Sequence, residues 1–330
     1  MDIALIGSSG HTGYVTNEIN HTEVDIIGVA PGSSGEDVSG LHEEVSEGGR
    51  SVPLYESYET LLEETDPDVV ANSCRFGDLA SVSTRALEQD VHVFSEKPLA
   101  TTLDGLDRLR ETYAQSDAEL IGMFGIRYDP WFYTAYRRIQ DGAIGDVRSL
   151  YAQKSYKLGS RPAFYKSRET YGGTIPWVGI HAVDWINWVT DDEVESIYAR
   201  HSARQNRDHG DLETIGVAGL ELTNDVLATV SVDYYRPETA PTHGDDRLRV
   251  VGTDGVIEVR DETVRLINGK AGGERRIEQE KAGSIFPDFL STLTGDGDCL
   301  VTPAESFEAT EISLQARAAA DKHTTIERDR

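Results

Sequence analysis

The chain has 330 residues, enough for two domains of ordinary size, each with its own core. Its 31 Lys and Arg against 58 Asp and Glu give a net charge of -27, which repels nucleic acid and anionic lipid and argues against either partner. No run approaches the roughly 20 apolar residues of a membrane helix, and no basic, apolar leader opens the chain, so a cytoplasmic protein is expected.

Asp2–Ile6 reads as a short buried strand, followed by Gly7-Ser8-Ser9-Gly10-His11-Thr12-Gly13 and then by Val15 and Ile19 at helical spacing. Strand, glycine-rich loop and helix together make a phosphate cradle. Glycines let backbone N–H groups approach a pyrophosphate, and a helix start adds favourable partial charge. The G-x-x-G-x-x-G spacing is not the commoner G-x-G-x-x-G, but its place directly after a strand strengthens it. Gly7, Ser8, Ser9, Gly10, His11 and Gly13 are therefore the expected dinucleotide contacts, with His11 capping or facing solvent rather than reacting.

Glu23–Ala30 is the second strand. In dinucleotide folds an acidic residue usually ends this strand and takes the adenosine ribose hydroxyls. Here Ala30-Pro31-Gly32-Ser33-Ser34 stands in that place. Ser33 and Ser34 suit either ribose form, and Glu36 and Asp37 are near enough to interfere with a 2′-phosphate. The choice between NAD and NADP stays open.

Glu59–Glu64 reads as a helix, Pro67–Ser73 as a strand ending in a polar loop at Cys74-Arg75-Phe76-Gly77, and residues 79–89 as a helix. Val91-His92-Val93-Phe94 then runs into Ser95-Glu96-Lys97-Pro98, so a buried strand delivers a lysine to a fixed loop. The Lys97–Pro98 bond is open to either isomer. Leu103, Leu106 and Leu109 mark another helix, and Glu119–Phe124 closes a run of strands alternating with helices. Residues 1–122 are thus expected to form a Rossmann-type, doubly wound parallel sheet in an α/β chain.

Residues 123–330 change character. A helix from Tyr128 through Ile139 leads to strand-like runs at Val147–Lys154, Glu195–Arg200, Ile215–Leu222, Val226–Tyr234, Leu248–Val251, Val256–Val259 and Thr263–Ile267. Tight turns such as Gly252-Thr253-Asp254-Gly255 join them, which implies an α+β domain with a large, open, mainly antiparallel sheet. Such a sheet needs cover on one face, from a helix at about 304–319 or from a second copy of the chain.

Cys74 and Cys299 lie far apart and form no C-x-x-C pair, so free thiols in a reducing compartment are expected. The acidic excess, with lysine scarce, suits a halophilic cytoplasm, because at about 1 M salt the Debye length falls to about 3 Å and self-repulsion is screened. His201, Asp208, His209 and Asp211 fit no metal-ligand spacing, and no metal is expected.

The glycine loop, Ser95-Glu96-Lys97-Pro98, Gly125-Ile126-Arg127-Tyr128-Asp129-Pro130, Gly142-Ala143-Ile144-Gly145, and Gly172-Gly173 leading to His181-Ala182-Val183-Asp184 occur in one order. In that order the chain resembles the Gfo/Idh/MocA family, the relatives of glucose-fructose oxidoreductase and inositol dehydrogenase. The resemblance implies NAD or NADP as cofactor, with Ser73, Glu96 and Lys97 adding to the cofactor contacts. It implies a small-molecule substrate on the C-terminal domain and a homodimer or homotetramer through its sheet. The chemistry implied is reversible oxidation of a secondary hydroxyl on a sugar, cyclitol or related polyol, with Lys97 and His181 as catalytic residues. A hydride leaves the carbinol carbon while either His181 or a neutral Lys97 takes the hydroxyl proton. Asp184, Tyr165 and Arg127 are expected in supporting or substrate roles. Where the family usually has an aspartate, four residues before the histidine, this chain has Trp177, which offers an aromatic face and no proton acceptor. Trp177 and the missing ribose carboxylate favour a second reading, a non-catalytic dinucleotide-binding regulator. A third is NAD-dependent elimination of a glycosidic group.

Overall fold

The computed structural model describes residues 1–190, 192–269 and 272–328. The apolar runs of the N-terminal part form β1 (Asp2–Ile6), β2 (Asp25–Ala30), β3 (Val69–Asn72), β4 (His92–Ser95) and β5 (Leu120–Gly122). They make one parallel sheet in the order β2-β1-β3-β4-β5. Ile3, Ile6, Val69, Val70, Val93 and Phe94 are wholly buried, as a parallel sheet covered on both faces requires. The strand order reverses beside β1, so the carboxyl ends of β1 and β3 flank the crevice where such sheets hold ligands.

The helix expected after the glycine loop is a single turn, Gly13–Thr16. Beyond it the backbone tightens, with Glu18 N bonding Val15 O at 2.9 Å and His21 N bonding Glu18 O at 2.8 Å. Val15 and Ile19 are still both buried, so their spacing reported burial rather than helix length.

Two compact units divide the chain, and they do not follow one cut after residue 122. The first comprises Met1–Gly125, Glu169–Gly172 and Gly283–Thr310; the second comprises Ile126–Arg168, Gly173–Ala282 and Glu311–Arg330. In the first unit, Phe286 and Phe289 of helix Ile285–Thr294 pack on Phe94 at 5.3 and 5.6 Å. Aromatic pairs of this kind add about 0.5–1.5 kcal/mol each beyond area burial. Thr310 Oγ1 accepts from Leu99 N at 3.2 Å, and Ser306 Oγ accepts from Gly122 N at 2.9 Å. The C-terminal helix is Pro303–Lys322, a little longer at both ends than expected.

In the second unit, β6 (Val147–Tyr156), β7 (Val194–Ser202), β8 (Ile215–Leu222), β9 (Val226–Asp233), β10 (Gly244–Gly252), β11 (Gly255–Arg260), β12 (Thr263–Asn268), β13 (Gly273–Ile277) and β14 (Thr325–Glu327) form one sheet. Its order is β13-β12-β11-β10-β6-β9-β8-β7-β14, antiparallel except for the parallel pair β6 and β9. The two edge strands, β13 and β14, escape a periodicity reading because one is almost wholly polar and the other is three residues long. Ala218, Leu220, Val230, Val232, Leu248 and Val250 point to the buried face, where helix Ile180–Val189 packs against β6 and β9. On the opposite face Tyr151, Thr229, Gly219 and Tyr198 lie in one cross-strand row, with the tyrosines 37% and 49% exposed. Among the described residues no helix is long and apolar enough to cross a membrane.

Candidate functional site

The glycine loop is stitched to the ends of β2 and β3, and β3 in turn to the end of β4. Gly7 N bonds Ala30 O at 2.9 Å, Ser9 N bonds Ser73 O at 2.7 Å, and Glu96 N, just past β4, bonds Asn72 O at 2.8 Å. Gly7 has φ +78°, and a Cβ there would overlap the backbone of Cys74, so both conformation and space demand glycine. A Cβ at Gly10 would overlap the side chain of Glu96.

Glu96 is the hub of this region. Its fully buried carboxylate accepts from His11 N at 2.5 Å, contacts His11 Nδ1 at 2.7 Å and accepts from Lys97 N at 2.9 Å. Burial pushes this carboxyl up, but the charge and hydrogen bonds of His11, then the charge of Lys97, outweigh it and hold the group below its ordinary value. His11 therefore does more than cap the loop, since it joins the loop to the residue before the lysine. Lys97 is 1% exposed and its peptide bond to Pro98 is cis.

A second carboxylate serves the other side of the loop. Glu36 accepts from Ser8 N at 3.2 Å and Ser9 Oγ at 2.5 Å, and through its other oxygen from Gly32 N and Ser33 N, both at 3.2 Å. Loop donors that already hold anionic oxygens are the right chemistry for a pyrophosphate, so the residues present fit a dinucleotide. Ser33 and Ser34 both lie against Arg75. Ser33 Oγ accepts from Arg75 N at 3.2 Å, and Ser34 gives its carbonyl to Arg75 Nη1 at 2.9 Å.

In the second unit the chain enters the His181 helix through Ile175–Gly179, five residues wound as a π-helix, a form often found at functional sites. Glu213 fixes its start, its carboxylate accepting from Thr174 N at 3.0 Å and its carbonyl from Thr174 Oγ1 at 2.6 Å. Trp177 lies in the π-turn, buried, with Tyr165 edge-on at 6.5 Å. His181 and Asp184 follow on helix Ile180–Val189, both buried. Asp184 is held by Arg127, whose Nε lies 3.1 Å from both carboxylate oxygens and whose Nη2 donates to one at 2.6 Å. Neither side chain reaches solvent, and the guanidinium lies over the Trp188 ring at 5.2 Å. Asp184 and Arg127 thus occupy buried positions.

Sequence reasoning missed a further polar group. Lys154 of β6 is buried, pairs with Asp246 of β10 at 2.5 Å, and lies over the rings of Tyr156 and Trp185, each at 5.1 Å. Burial lowers the Lys154 amine, against the opposing pull of Asp246 and Asp129. Burial likewise pushes Asp129 up to about 7, although Lys154 opposes it. Tyr156, Asp246, Trp131 and Arg236 line a cavity of about 540 Å³. The forewarning is a lysine in phase with Leu150 and Ala152, at the two-residue period that puts all three on the buried face of the strand.

The polar loop considered for metal turns elsewhere. His209 Nδ1 lies 2.8 Å from Asn206 O, Asp211 accepts from Arg168 N at 3.3 Å, and His201 Nε2 contacts Asp321 at 3.1 Å. Arg168 is itself paired with Glu213 and Asp321.

Comparison with known proteins matches residues 1–122 to the oxidoreductase family with an NAD-binding Rossmann fold and residues 132–258 to the GFO/IDH/MocA C-terminal domain. A solved structure from Thermotoga maritima, described only as a candidate oxidoreductase, is 44% identical, with a TM-score of 0.95 over 99% of this chain and 100% of that one. The myo-inositol 2-dehydrogenase of Thermotoga maritima is 26% identical over 81% of this chain and 80% of its own length. GenD2 from gentamicin A biosynthesis, solved in complex with NAD, shares the fold at 17% identity, with a TM-score of 0.82 over 100% of this chain and 97% of that one. Against the curated relatives YteT and YrbE of Bacillus subtilis, the matched stretch spans 35% and 57% of their lengths. Two matched family domains in the expected order, with a 44% identical structure along the whole chain, show that this protein belongs to the Gfo/Idh/MocA family of NAD-binding oxidoreductases.

Proposed function

We propose that the protein is an NAD(P)-dependent oxidoreductase exchanging a hydride with a secondary hydroxyl, or the matching ketone, of a sugar, cyclitol or related polyol. The observation that carries this reading is the Glu96 bridge. One buried carboxylate takes hydrogen bonds from the glycine loop and from the backbone of Lys97, so a single group sets both the dinucleotide cradle and the reactive lysine. When bound, the nicotinamide supplies the hydride donor or acceptor.

The chain's own groups do the rest. Gly7, Ser8, Ser9, Gly10, His11 and Gly13 cradle the pyrophosphate with backbone donors, Gly7 by close approach. The amine of Lys97, buried just past β4, takes the hydroxyl proton and returns it in the reverse direction. His181, on its buried helix, serves as the second acid–base group. Arg127 and Asp184 saturate each other and keep that helix in place, and Trp177 with Tyr165 shapes the approach of the substrate. Similarity to a myo-inositol 2-dehydrogenase supports the polyol class. The exposed Tyr151 and Tyr198 row supports a homo-oligomer packed through the open sheet face.

The test is turnover in molar KCl with NAD or NADP against cyclitols, aldoses and sugar acids, read by nicotinamide absorbance. Reduction with at least one of them, lost in Lys97→Met, is the expected result. Dinucleotide binding without turnover across the panel would instead support the regulator, the reading that Trp177 favours. Glycoside cleavage with no net NADH would indicate elimination chemistry.

A further inference from the structure

We infer that Glu36 selects NAD over NADP, acting from the loop after β2 in place of the carboxylate missing from that strand's end; this rests on the dinucleotide reading above. β2 stops at Ala30, and the chain turns through Pro31–Gly35 before Glu36. That turn brings the carboxylate back against the glycine loop. One oxygen takes Ser8 N at 3.2 Å and Ser9 Oγ at 2.5 Å; the other takes Gly32 N and Ser33 N at 3.2 Å. Glu36 thus bridges the glycine loop and the segment after β2, the two pieces of backbone between which a Rossmann fold holds the adenosine ribose.

Ribose hydroxyls are donors, and a carboxylate is their natural acceptor. Three of the four bonds Glu36 now accepts are 3.2 Å long, at the outer limit for N–H···O, so hydroxyl donors compete well for the same oxygens. A 2′-phosphate brings oxygens that accept and charge that repels. Asp37 adds a second carboxylate beside it, with its carbonyl bound by Ser8 Oγ at 2.9 Å.

The nearby cation does not reverse this balance. Arg75 donates from Nη1 to Ser34 O at 2.9 Å and from Nη2 to Gly35 O at 2.8 Å, and its backbone N bonds Ser33 Oγ. The guanidinium is bound to the carbonyls of the loop that carries Glu36, so it braces the selector. Ser33 lies on the same loop, its hydroxyl oxygen accepting from Arg75 N at 3.2 Å.

The experiment is fluorescence titration of the whole protein with NADH and with NADPH, for wild type and for Glu36→Gln, which keeps the shape and removes the charge. Wild type should bind NADH about tenfold or more tighter than NADPH, and Glu36→Gln should narrow that ratio at least about fivefold. On wild type alone, AMP should displace NADH while its 2′-phosphorylated form should not, a readout that needs no variant. Equal binding of NADH and NADPH by wild type, or an unchanged ratio in a folded Glu36→Gln, overturns the inference and leaves the dinucleotide reading standing. Binding of neither cofactor overturns both.

Discussion

At the glycine loop two carboxylates, Glu36 and Glu96, are held chiefly by backbone N–H groups, whereas on helix Ile180–Val189 the carboxylate of Asp184 is held by the side chain of Arg127, 57 residues away. Backbone donors come with the fold and lose no side-chain freedom when they bind. They also leave the carboxylate able to exchange partners, as a binding surface must. A fully buried side-chain pair gives up hydration on both partners and is stable only while both are present. The first arrangement suits a region that receives a ligand, and the second a region that must not move.

Four changes test that contrast, the largest effect first. Lys97→Met should lower kcat by about a thousandfold or more, in the range expected for loss of an acid–base group. Its NADH affinity should stay within about threefold of wild type by fluorescence titration, because Glu96 and His11 still fix the loop. Turnover retained in this variant would remove Lys97 from the chemistry. Asp184→Asn should cost about 3–5 kcal/mol in urea unfolding, since it removes the negative charge paired with a fully buried guanidinium. Arg127→Met combined with Asp184→Leu should cost less than the two single losses added together. A variant at Asp184 as stable as wild type would place the pair outside the supporting framework.

The third change separates the regions by pH. Asp129 has a folded value raised from 3.8 to about 7, so between those values the folded state holds more protons than the unfolded one. Its contribution to stability is therefore complete below about pH 4 and is lost as pH rises through about 7. Glu96 is held below its ordinary value, so its contribution is present at neutral pH and is lost in acid as pH falls through that lowered value. Asp129→Asn should flatten the decline on the neutral side and leave the acid limb in place; Glu96→Gln should weaken the acid limb alone. Urea midpoints across the pH range check both, and a single slope shared by the two variants would contradict the assignment. The smallest effect expected is a rise of a few degrees in Tm between dilute buffer and molar KCl, from screening of the net charge of -27. An unchanged Tm would count against a halophilic design.

What was legible in the sequence follows the same division. Gly7 to Gly13 and Ser95 to Pro98 are contiguous, and each carries its backbone geometry in its own residues, so cradle and lysine could be placed without a structure. The tie between them, His11 to Glu96, spans 85 residues and has no local signal. Glu36 was legible as a carboxylate near enough to interfere with a 2′-phosphate, but its bonds to Ser8, Gly32 and Ser33 depend on the turn through Pro31–Gly35 and carry no local signal. Lys154 and Asp246 lie 92 residues apart on strands joined through the sheet, and each alone looks like an ordinary strand residue. Helix Ile285–Thr294 was missed although Phe286 and Phe289 show helical spacing, because a short apolar run beside Pro287 reads equally well as a loop.

The most direct test of the account is calorimetric titration of wild type and Lys97→Met with NADH and NADPH in molar KCl, followed by a polyol screen of both proteins. The account predicts saturable binding of one cofactor by both proteins and turnover by wild type alone. Wild type that binds neither cofactor, while remaining folded, would contradict it.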